Sequence, residues 1–314
     1  MNDKYKEQFF KEKKLISIVL CSRERLELTK QLIHSIETKT KNLDLINVTA
    51  LIDFDDYDSI DYFSKYGNNT SIDFKLIIRQ RTHKLIKGGI NLCYKICEPA
   101  YFYWPLNNDT KIITENWDEI LFEKTVNVLK EFNGDKKYLY IHIDDDTHVP
   151  YYHTRKGNCF PICSTTIGSI FNGCVPEEIL HWGYDSRLHG IINWVVKHPD
   201  IGHTMMILDL IKDIKIQHTT YYIRNKPTTS TPLGTSTINT TEHAEGKRLR
   251  DDIDLRIHDF TNELGKFDEE GYHTGKYFEL FMLDNDKAIL HSYFLKRLET
   301  LEKNGALFEC SSWL

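Results

Sequence analysis

The side chains best suited to chemistry in this sequence are three oxygen-bearing residues, Asn107–Asp109, which directly follow a short apolar run. The run, Tyr101–Leu106, is long enough for one buried strand, and such a strand places the triplet at its carboxyl end. In open α/β sheets that edge is where ligands bind. Carboxylate and amide oxygens suit Mg²⁺ or Mn²⁺ carrying a phosphorylated ligand. The same triplet also fits a plain turn, because Asn and Asp side chains bond their own backbone.

Mainly apolar runs that predict buried strands recur through the first third of the chain, and each one ends in polar residues. They are Leu15–Leu20, Val48–Ile52, Phe74–Ile78 and Tyr101–Leu106. Amphipathic patterns predict helices at about Leu26–Lys39, Ile90–Ile96 and Trp117–Glu131. Alternating strands and helices indicate a parallel sheet built from right-handed βαβ units. The fold class is therefore α/β, and four polar strand ends are expected at one edge, a repetition that turns alone do not explain.

Later segments differ in composition. A strand is predicted at Tyr138–Ile143, ending in the acidic triplet Asp144–Asp146, and strand-like residues recur within Ile211–Tyr222. The polar segment Asn225–Thr241 contains Pro and Gly and predicts a mobile loop. We expect a catalytic domain over residues 1–241, comprising a donor half at 15–118, an acceptor half at 119–224 and the loop at 225–241, followed by a helical extension over 242–314.

Composition restricts the class of protein and its compartment. Hydrophobic residues at 40% and aromatic residues at 12% indicate a packed globular chain. A formal net charge of −6 without a long basic block argues against nucleic acid as a partner. Seven cysteines without a CxxC pair favour reduced, mostly buried thiols over a zinc site. Since no apolar run approaches the roughly 20 residues of a membrane helix and the N-terminal segment is charged, we expect a soluble, cytoplasmic protein of open oligomeric state.

Taken in order, these features resemble the GT-A glycosyltransferases over roughly Leu15–Tyr222. The opening LISIVLCSRER is similar to the first strand and turn of the family-2-like nucleotide-sugar transferases, and LNNDTKIITENWD is similar to their metal-binding DxD region. The resemblance implies a GT-A fold, with a Rossmann-like, mostly parallel central sheet flanked by helices. It also implies a nucleotide-diphosphate sugar donor, with a UDP-sugar favoured, a carbohydrate or glycoconjugate acceptor, and Mn²⁺ or Mg²⁺. One departure is that Asn107 stands where the family has its first Asp.

The resemblance also implies roles for individual residues. Asp109 matches the final Asp of the DxD region and, with His218, would bind the metal. Asp53, which ends the second strand, would contact the nucleoside, and Asp185 would be the general base that deprotonates the acceptor hydroxyl, which makes the reaction inverting. Further donor-binding candidates lie at strand ends and in the basic loop after the third strand: Ser22, Arg23, Arg81, Lys87, Asn107 and Asn108.

Each assignment has a structural alternative. Asp53 also fits an acidic turn, Asp185 a helix N-cap, His218 a strand residue, and Arg81 and Lys87 a solvated basic loop. Asp144–Asp146 is a rival metal site, interpreted here as surface or acceptor-side.

Two other functions remain open at this point. A sugar-phosphate nucleotidyltransferase would need a glycine-rich loop directly after the first strand, and Cys21–Leu28 contains no glycine. A degenerate transferase that serves as a carbohydrate-binding or assembly module would tolerate Asn107 in place of Asp.

Overall fold

The structure is a computed structural model and describes residues 10, 13–80, 85–132, 138–146, 159–170, 188–189, 192, 195–197, 199 and 202–218. The strands are β1 (Lys14–Ser22), β2 (Ile46–Asp53), β3 (Asp73–Arg79), β4 (Ala100–Asn107), β5 (Thr110–Ile112), β6 (Tyr138–Asp144), β7 (Ile162–Ser164) and β8 (Met205–His218). The helices are α1 (Leu26–Lys39), α2 (Tyr57–Tyr66), α3 (Leu85–Ile96), α4 (Trp117–Glu131) and α5 (Thr165–Ile170). Short 3₁₀ turns occupy Leu43–Leu45 and Gly202–Thr204.

The strands form one sheet in the order β3-β2-β1-β4-β7-β6-β8-β5. β1 is parallel to both β2 and β4, and β2 is parallel to β3. β7 is antiparallel to β4 and to β6, so β6 runs in the same direction as the first four strands. The structure thus confirms the predicted α/β fold class, a mostly parallel central sheet flanked by helices. The carboxyl ends of β1, β2, β3, β4 and β6 meet at one edge.

Burial on both faces of the sheet explains the continuous apolar strands. In β1, Ile18 and Leu20 face a cluster that includes the apolar side of α1 and α4, whereas Val19 faces a second cluster with Ile90 and Cys93 of α3. All residues from Leu15 to Leu20 are buried. Because helices cover both faces, neither face needs polar residues, and the strand loses the polar alternation of a half-exposed sheet.

Helix α2 was not predicted, and its first residues were interpreted as an acidic turn. Asp56 caps the helix, since its Oδ1 accepts a hydrogen bond from the backbone N–H of Ser59 at 3.3 Å. Only Ser59 and Phe63 are fully buried, while Ile60 and Tyr66 pack partly buried against the same core. The cap residue and this i, i+3 spacing were both present in the sequence and could have revealed the helix.

Helix α3 begins earlier than predicted, at Leu85, so the glycines of Lys87–Gly89 lie inside the helix and not before it. Gly89 is tolerated inside the helix because the helix packs closely against the end of β1 at this residue. A Cβ atom on Gly89 would lie 2.4 Å from Cys21 Sγ and 3.2 Å from Arg79 Nη2. Glycine at this position permits the helix to approach the strand, at the cost in helix propensity that glycine carries.

Strands β5 and β7 have only three residues each, too few for a hydrophobic pattern to identify them. β8 pairs with both halves of the sheet: its first residues are parallel to β6, and its last three are antiparallel to β5. The register of the β6–β8 pairing shifts between Ile143 and Asp144, because Ile143 lies opposite Leu210 but Asp144 lies opposite Lys215. The predicted loop Asn225–Thr241, the helical extension and the domain limits fall largely or wholly outside the described residues.

The cysteines within the described part of the chain are all free thiols. Cys93 and Cys163 are buried, while Cys21, Cys97 and Cys159 are half-buried. Burial raises the pKa of the Cys163 thiol to about 12, which keeps it protonated. Two of these five thiols are therefore buried, fewer than predicted, and none of the five takes part in a disulfide. No helix of the described residues is both long enough and apolar enough to cross a membrane.

Candidate functional site

The triplet Asn107–Asp109 lies at the carboxyl end of β4, in the tight connection to β5. Asn107 is the last residue of β4, and its carbonyl accepts a hydrogen bond from Thr110 Oγ1 at 2.7 Å. Asn108 and Asp109 form the turn itself, and both are buried, with exposed fractions of 5% and 7%. The residues are therefore a turn and also line the expected ligand edge.

Pairing of β5 with β8 brings Asp109 next to His218. Thr110 lies opposite His218 in the antiparallel register, so the imidazole reaches the preceding Asp109. The distance from His218 Nε2 to Asp109 Oδ1 is 3.4 Å. The ring packs edge-on against Phe160 at 5.5 Å between centroids. Its buried Nδ1 has no hydrogen-bond partner among the described residues.

This pair has the donor chemistry and spacing for a divalent cation. Neighbouring ligand atoms of an octahedral ion lie about 3 Å apart, so 3.4 Å between Oδ1 and Nε2 requires only a small adjustment. Within the described residues, no group of three or more His, Cys, Asp or Glu side chains could hold a metal. The described residues would thus supply two ligands, Asp109 and His218. That number suits Mg²⁺-type ions, which bind through one or two protein groups together with substrate phosphates.

A hydrogen-bonded network fixes Asn108 behind this pair. Its Nδ2 donates to Ser22 Oγ at 3.1 Å, and Ser22 Oγ lies 2.7 Å from Thr29 Oγ1 on α1. Its Oδ1 accepts from Arg25 Nη1 at 3.3 Å. Both ends of the Asn108 amide are therefore bound by the protein. The side chains of Ser22 and Asn108 bond one another and position the turn. Their predicted contact with the donor stays a prediction.

Arg25 was not predicted as a site residue, and it contacts the predicted metal ligand. Its Nη1 lies 3.5 Å from Asp109 Oδ2, on the side of the carboxylate away from His218. Arg25 is the N-cap residue of α1, and its partners Asn108 and Asp109 lie far along the chain. Because this contact crosses from β1 to β4, no local pattern could have revealed it.

A second charged cluster surrounds Asp53 at the carboxyl end of β2. Arg23 Nε lies 4.0 Å from Asp53 Oδ2, and Arg79 Nε lies 3.8 Å from Asp53 Oδ1. Arg23 Nη2 donates to Asp55 Oδ2 at 2.9 Å. The Nε and Nη1 atoms of Arg23 are buried and make no hydrogen bond within the described part of the chain. This guanidinium can therefore donate to a ligand that enters beside Asp53.

The remaining predicted residues are described in part or not at all. Arg81 and Asp185 lie outside the described residues, so their roles stay predictions. Lys87 belongs to α3, and its backbone alone is described. Arg79, directly before the predicted basic loop, is the arginine that the structure brings to Asp53.

The rival triplet Asp144–Asp146 lies at the same sheet edge. Tyr103 of β4 and Tyr140 of β6 both pair with Cys163, and the triplets begin four residues beyond these two tyrosines. Asp145 is fully buried and accepts from the Cys159 N–H at 2.8 Å. The interpretation of this triplet as surface is therefore wrong. The triplet begins at the end of β6 and Asn107 ends β4, with β7 between these two strands. This position is compatible with the acceptor-side interpretation, which stays a prediction.

Lys215 of β8 balances part of the charge of this second triplet. Its Nζ lies 3.6 Å from Asp146 Oδ1 and 3.9 Å from Asp144 Oδ2. Asp146 adopts a left-handed backbone with φ 56, and its N–H donates to Asp144 Oδ1 at 3.0 Å. A protein cation thus lies beside each triplet, Lys215 here and Arg25 at Asp109. Asp109 differs in that it also lies beside an imidazole, which can ligate a metal.

Comparison with known proteins shows similarity in structure alone. No protein-family model and no curated protein sequence matches the chain. Among solved structures, S. aureus TarS, a GT-A-type glycosyltransferase, is similar at 14% identity and a TM-score of 0.48, over 65% of this chain and 36% of that one. TarS 1-349 in complex with UDP-GlcNAc is similar at 13% identity and a TM-score of 0.47, over 66% and 60%.

Another similar structure is 4-diphosphocytidyl-2C-methyl-D-erythritol synthase from Anaerococcus prevotii. It has 15% identity and a TM-score of 0.36, over 62% of this chain and 89% of that one. The chain spans about a third of the TarS chain and 60% of the shorter TarS 1-349.

Proposed function

We propose that this protein is a glycosyltransferase that moves a sugar from a nucleotide-diphosphate sugar to a hydroxyl of a glycan or glycoconjugate. A UDP-sugar is the favoured donor. The observation that carries the proposal is the meeting of Asp109 and His218, 3.4 Å apart at the carboxyl edge of a mostly parallel sheet. A metal-ligating pair at that edge, beside a cluster of arginines, suits a diphosphate better than it suits a plain turn.

The spacing of the two charged clusters supports a nucleoside diphosphate. Asp53 ends β2 and Asn107 ends β4, with β1 between them. Two strand spacings separate these ends by about 10 Å, comparable with the span from a nucleobase to its diphosphate. In this arrangement the Asp53 carboxylate accepts from the nucleoside, and the buried donors of Arg23 bind its oxygens. Asp109 and His218 then lie at the diphosphate.

The protein holds the leaving group through Asp109, His218 and the adjacent cations. A divalent ion bound there would neutralise charge that develops on the diphosphate as the sugar leaves. His218 must be neutral at Nε2 to act as a ligand. Arg81 and Lys87, from the basic segment and the start of α3, are proposed to contact the same diphosphate, since cations near a helix N-terminus bind phosphate well.

Proton removal from the acceptor is assigned to Asp185. A carboxylate at that point would take the hydroxyl proton as the oxygen attacks the anomeric carbon. With Asp185 as base the attack comes from the face opposite the diphosphate, and the reaction is inverting. Asp144–Asp146 lie at the same sheet edge as the donor residues but on the other side of β7. This position supports binding of the acceptor beside β6.

We also propose that the protein works in the cytoplasm. Five free cysteines suit a reducing compartment such as the cytoplasm. The proposed organisation remains a catalytic domain over residues 1–241 with a helical extension over 242–314.

The test is release of UDP from a panel of UDP-sugars, measured with Mn²⁺ and with EDTA. We expect slow hydrolysis of at least one donor with Mn²⁺, abolished by EDTA and by Asp109→Asn. UDP binding without turnover of any donor or acceptor would favour the carbohydrate-binding alternative. Release of pyrophosphate from UTP and a sugar phosphate would favour the nucleotidyltransferase. Absence of UDP binding would refute a UDP-sugar as the donor, and absence of binding of both UDP and GDP would refute the proposed transferase.

A further inference from the structure

We infer that Arg25 makes binding of the divalent cation depend on the diphosphate, so that cation and nucleotide bind with strong positive cooperativity. The inference rests on the proposed function and assigns to Arg25 a role that neither the family resemblance nor any sequence motif supplies. Arg25 is a positioning residue here, since it acts through Asp109.

The guanidinium of Arg25 is held at Asp109 by two features of the fold. Its backbone carbonyl accepts from both the N–H and the Oγ1 of Thr29, each at 3.0 Å, which anchors the residue at the start of α1. Its Nη1 also donates to Asn108 Oδ1 at 3.3 Å, and Asn108 is itself bound to Ser22. The contact of 3.5 Å with Asp109 Oδ2 therefore belongs to a fixed arrangement of α1 and the β4–β5 turn.

The charges at this point do not favour a metal ion by itself. Among the described side chains at this point, Asp109 supplies one negative charge, Arg25 opposes it on Oδ2, and His218 as a neutral ligand adds none. Counted over these three groups, a divalent cation on Oδ1 leaves an excess of two positive charges. The Asp109 side chain is only 10% exposed and that of Arg25 28%, so solvent screens this repulsion incompletely.

A nucleoside diphosphate reverses that balance. Its phosphate oxygens bring two or more negative charges between the cation and Arg25, and a guanidinium binds such oxygens through short, charge-assisted hydrogen bonds. Arg25 thus opposes the metal in the free protein and favours the diphosphate in the complex. Since coupling between two ligands is reciprocal, UDP must tighten Mn²⁺ binding by the same factor by which Mn²⁺ tightens UDP binding.

The experiment measures free Mn²⁺ by electron paramagnetic resonance during titration of the full-length protein, with and without UDP. In the wild type we expect UDP to tighten Mn²⁺ binding on the order of 5–150-fold, the usual range of coupling between sites. Arg25→Gln should bind Mn²⁺ alone about tenfold more tightly than the wild type, because the opposing charge is gone. Because the diphosphate already offsets the Arg25 charge in the complex, the variant should gain little Mn²⁺ affinity when UDP is bound, so the coupling factor should shrink. By reciprocity, its loss of UDP affinity should be larger with Mn²⁺ than without it.

Two further variants separate charge from shape. Arg25→Lys keeps the positive charge and should retain most of the coupling. Lys30→Gln removes one charge from the same helix at a similarly half-exposed position, where the side chain bonds Glu27 and not Asp109, and it should titrate like the wild type. Thermal unfolding of each variant checks that the fold is retained.

Unchanged or weaker binding of Mn²⁺ alone by Arg25→Gln would overturn the inference while leaving the proposed function intact. If Arg25→Gln does not fold, the wild type still decides: equal Mn²⁺ affinity with and without UDP would overturn the inference. A wild type that binds neither UDP nor Mn²⁺ under any condition would instead refute the proposed function.

Discussion

Replacing Asp53 by Asn removes one negative charge from between two arginines while keeping the shape of the side chain. The carboxylate lies 4.0 Å from Arg23 Nε and 3.8 Å from Arg79 Nε, and its side chain is 12% exposed. Asp55 makes a shorter contact with Arg23, at 2.9 Å, but its side chain is 37% exposed. Asp55→Asn is therefore a matched control in which distance and burial predict opposite rankings.

Burial should decide the outcome. At an effective dielectric constant of about 20, opposite charges about 4 Å apart attract by about 4 kcal/mol, and the cost of burying them offsets much of this. Removing one partner of a buried pair costs about 3–5 kcal/mol, because the remaining charge stays buried. We expect about 3 kcal/mol for Asp53→Asn, since the arginines keep some exposure. An exposed pair such as Arg23–Asp55 is worth about 0.2–1 kcal/mol.

Thermal unfolding and UDP titration on the same preparations test this ranking. A loss of 1 kcal/mol lowers the Tm of a domain of this size by roughly 2–4 °C, so Asp53→Asn should lose about 6–12 °C and Asp55→Asn less than about 4 °C. UDP affinity should fall about tenfold or more for Asp53→Asn, through loss of a charged hydrogen bond to the nucleoside. Equal loss of Tm in the two variants, or a higher Tm for Asp53→Asn, would refute the reasoning.

Three further substitutions give separate expectations. Asp118→Ala should cost about 3 kcal/mol in unfolding free energy, because the buried carboxylate accepts from the N–H and the side-chain amide of Asn42 at 3.0 and 2.8 Å. Gly89→Ala should lower stability by about 1–3 kcal/mol, since its Cβ would overlap Cys21 Sγ, and an unchanged Tm would contradict that packing. Asp185→Asn should keep UDP and Mn²⁺ affinity while transfer falls about 10²–10⁴-fold. A lower Tm with normal transfer per folded molecule would make Asp185 a helix cap.

The elements predicted most accurately are those whose burial leaves a local pattern. The predicted Leu26–Lys39 and Trp117–Glu131 coincide with α1 and α4, and Leu15–Leu20 lies within β1. Each is buried along a stripe or on both faces, so hydrophobic spacing alone identifies it. The strands β5 and β7 are only three residues long, which is too short for hydrophobic spacing to identify them. Helix α2 was missed although Ile60 and Phe63 are three residues apart, because its first residues were interpreted as an acidic turn.

The site residues also differ in how far a local sequence pattern could predict them. Asp53 and Asp109 could be singled out because each follows an apolar run directly, and strand ends share an edge. The closeness of His218 to Asp109 depends on a pairing between β5 and β8 that no local pattern contains. Arg25 was missed for the same reason, since its charge acquires a role only where α1 begins beside the β4–β5 turn.

The central claim, that Asp109 is the ligand through which a divalent cation and a diphosphate bind, is tested most directly by calorimetric titration of UDP with Mn²⁺ and with EDTA. The variants are Asp109→Asn and, as control, Asp145→Asn, in which the amide oxygen can still accept from the Cys159 N–H. The account predicts that Mn²⁺ strengthens UDP binding in the wild type and in Asp145→Asn but not in Asp109→Asn. It is contradicted if the metal makes no difference to the wild type, or if Asp145→Asn loses the metal effect and Asp109→Asn keeps it.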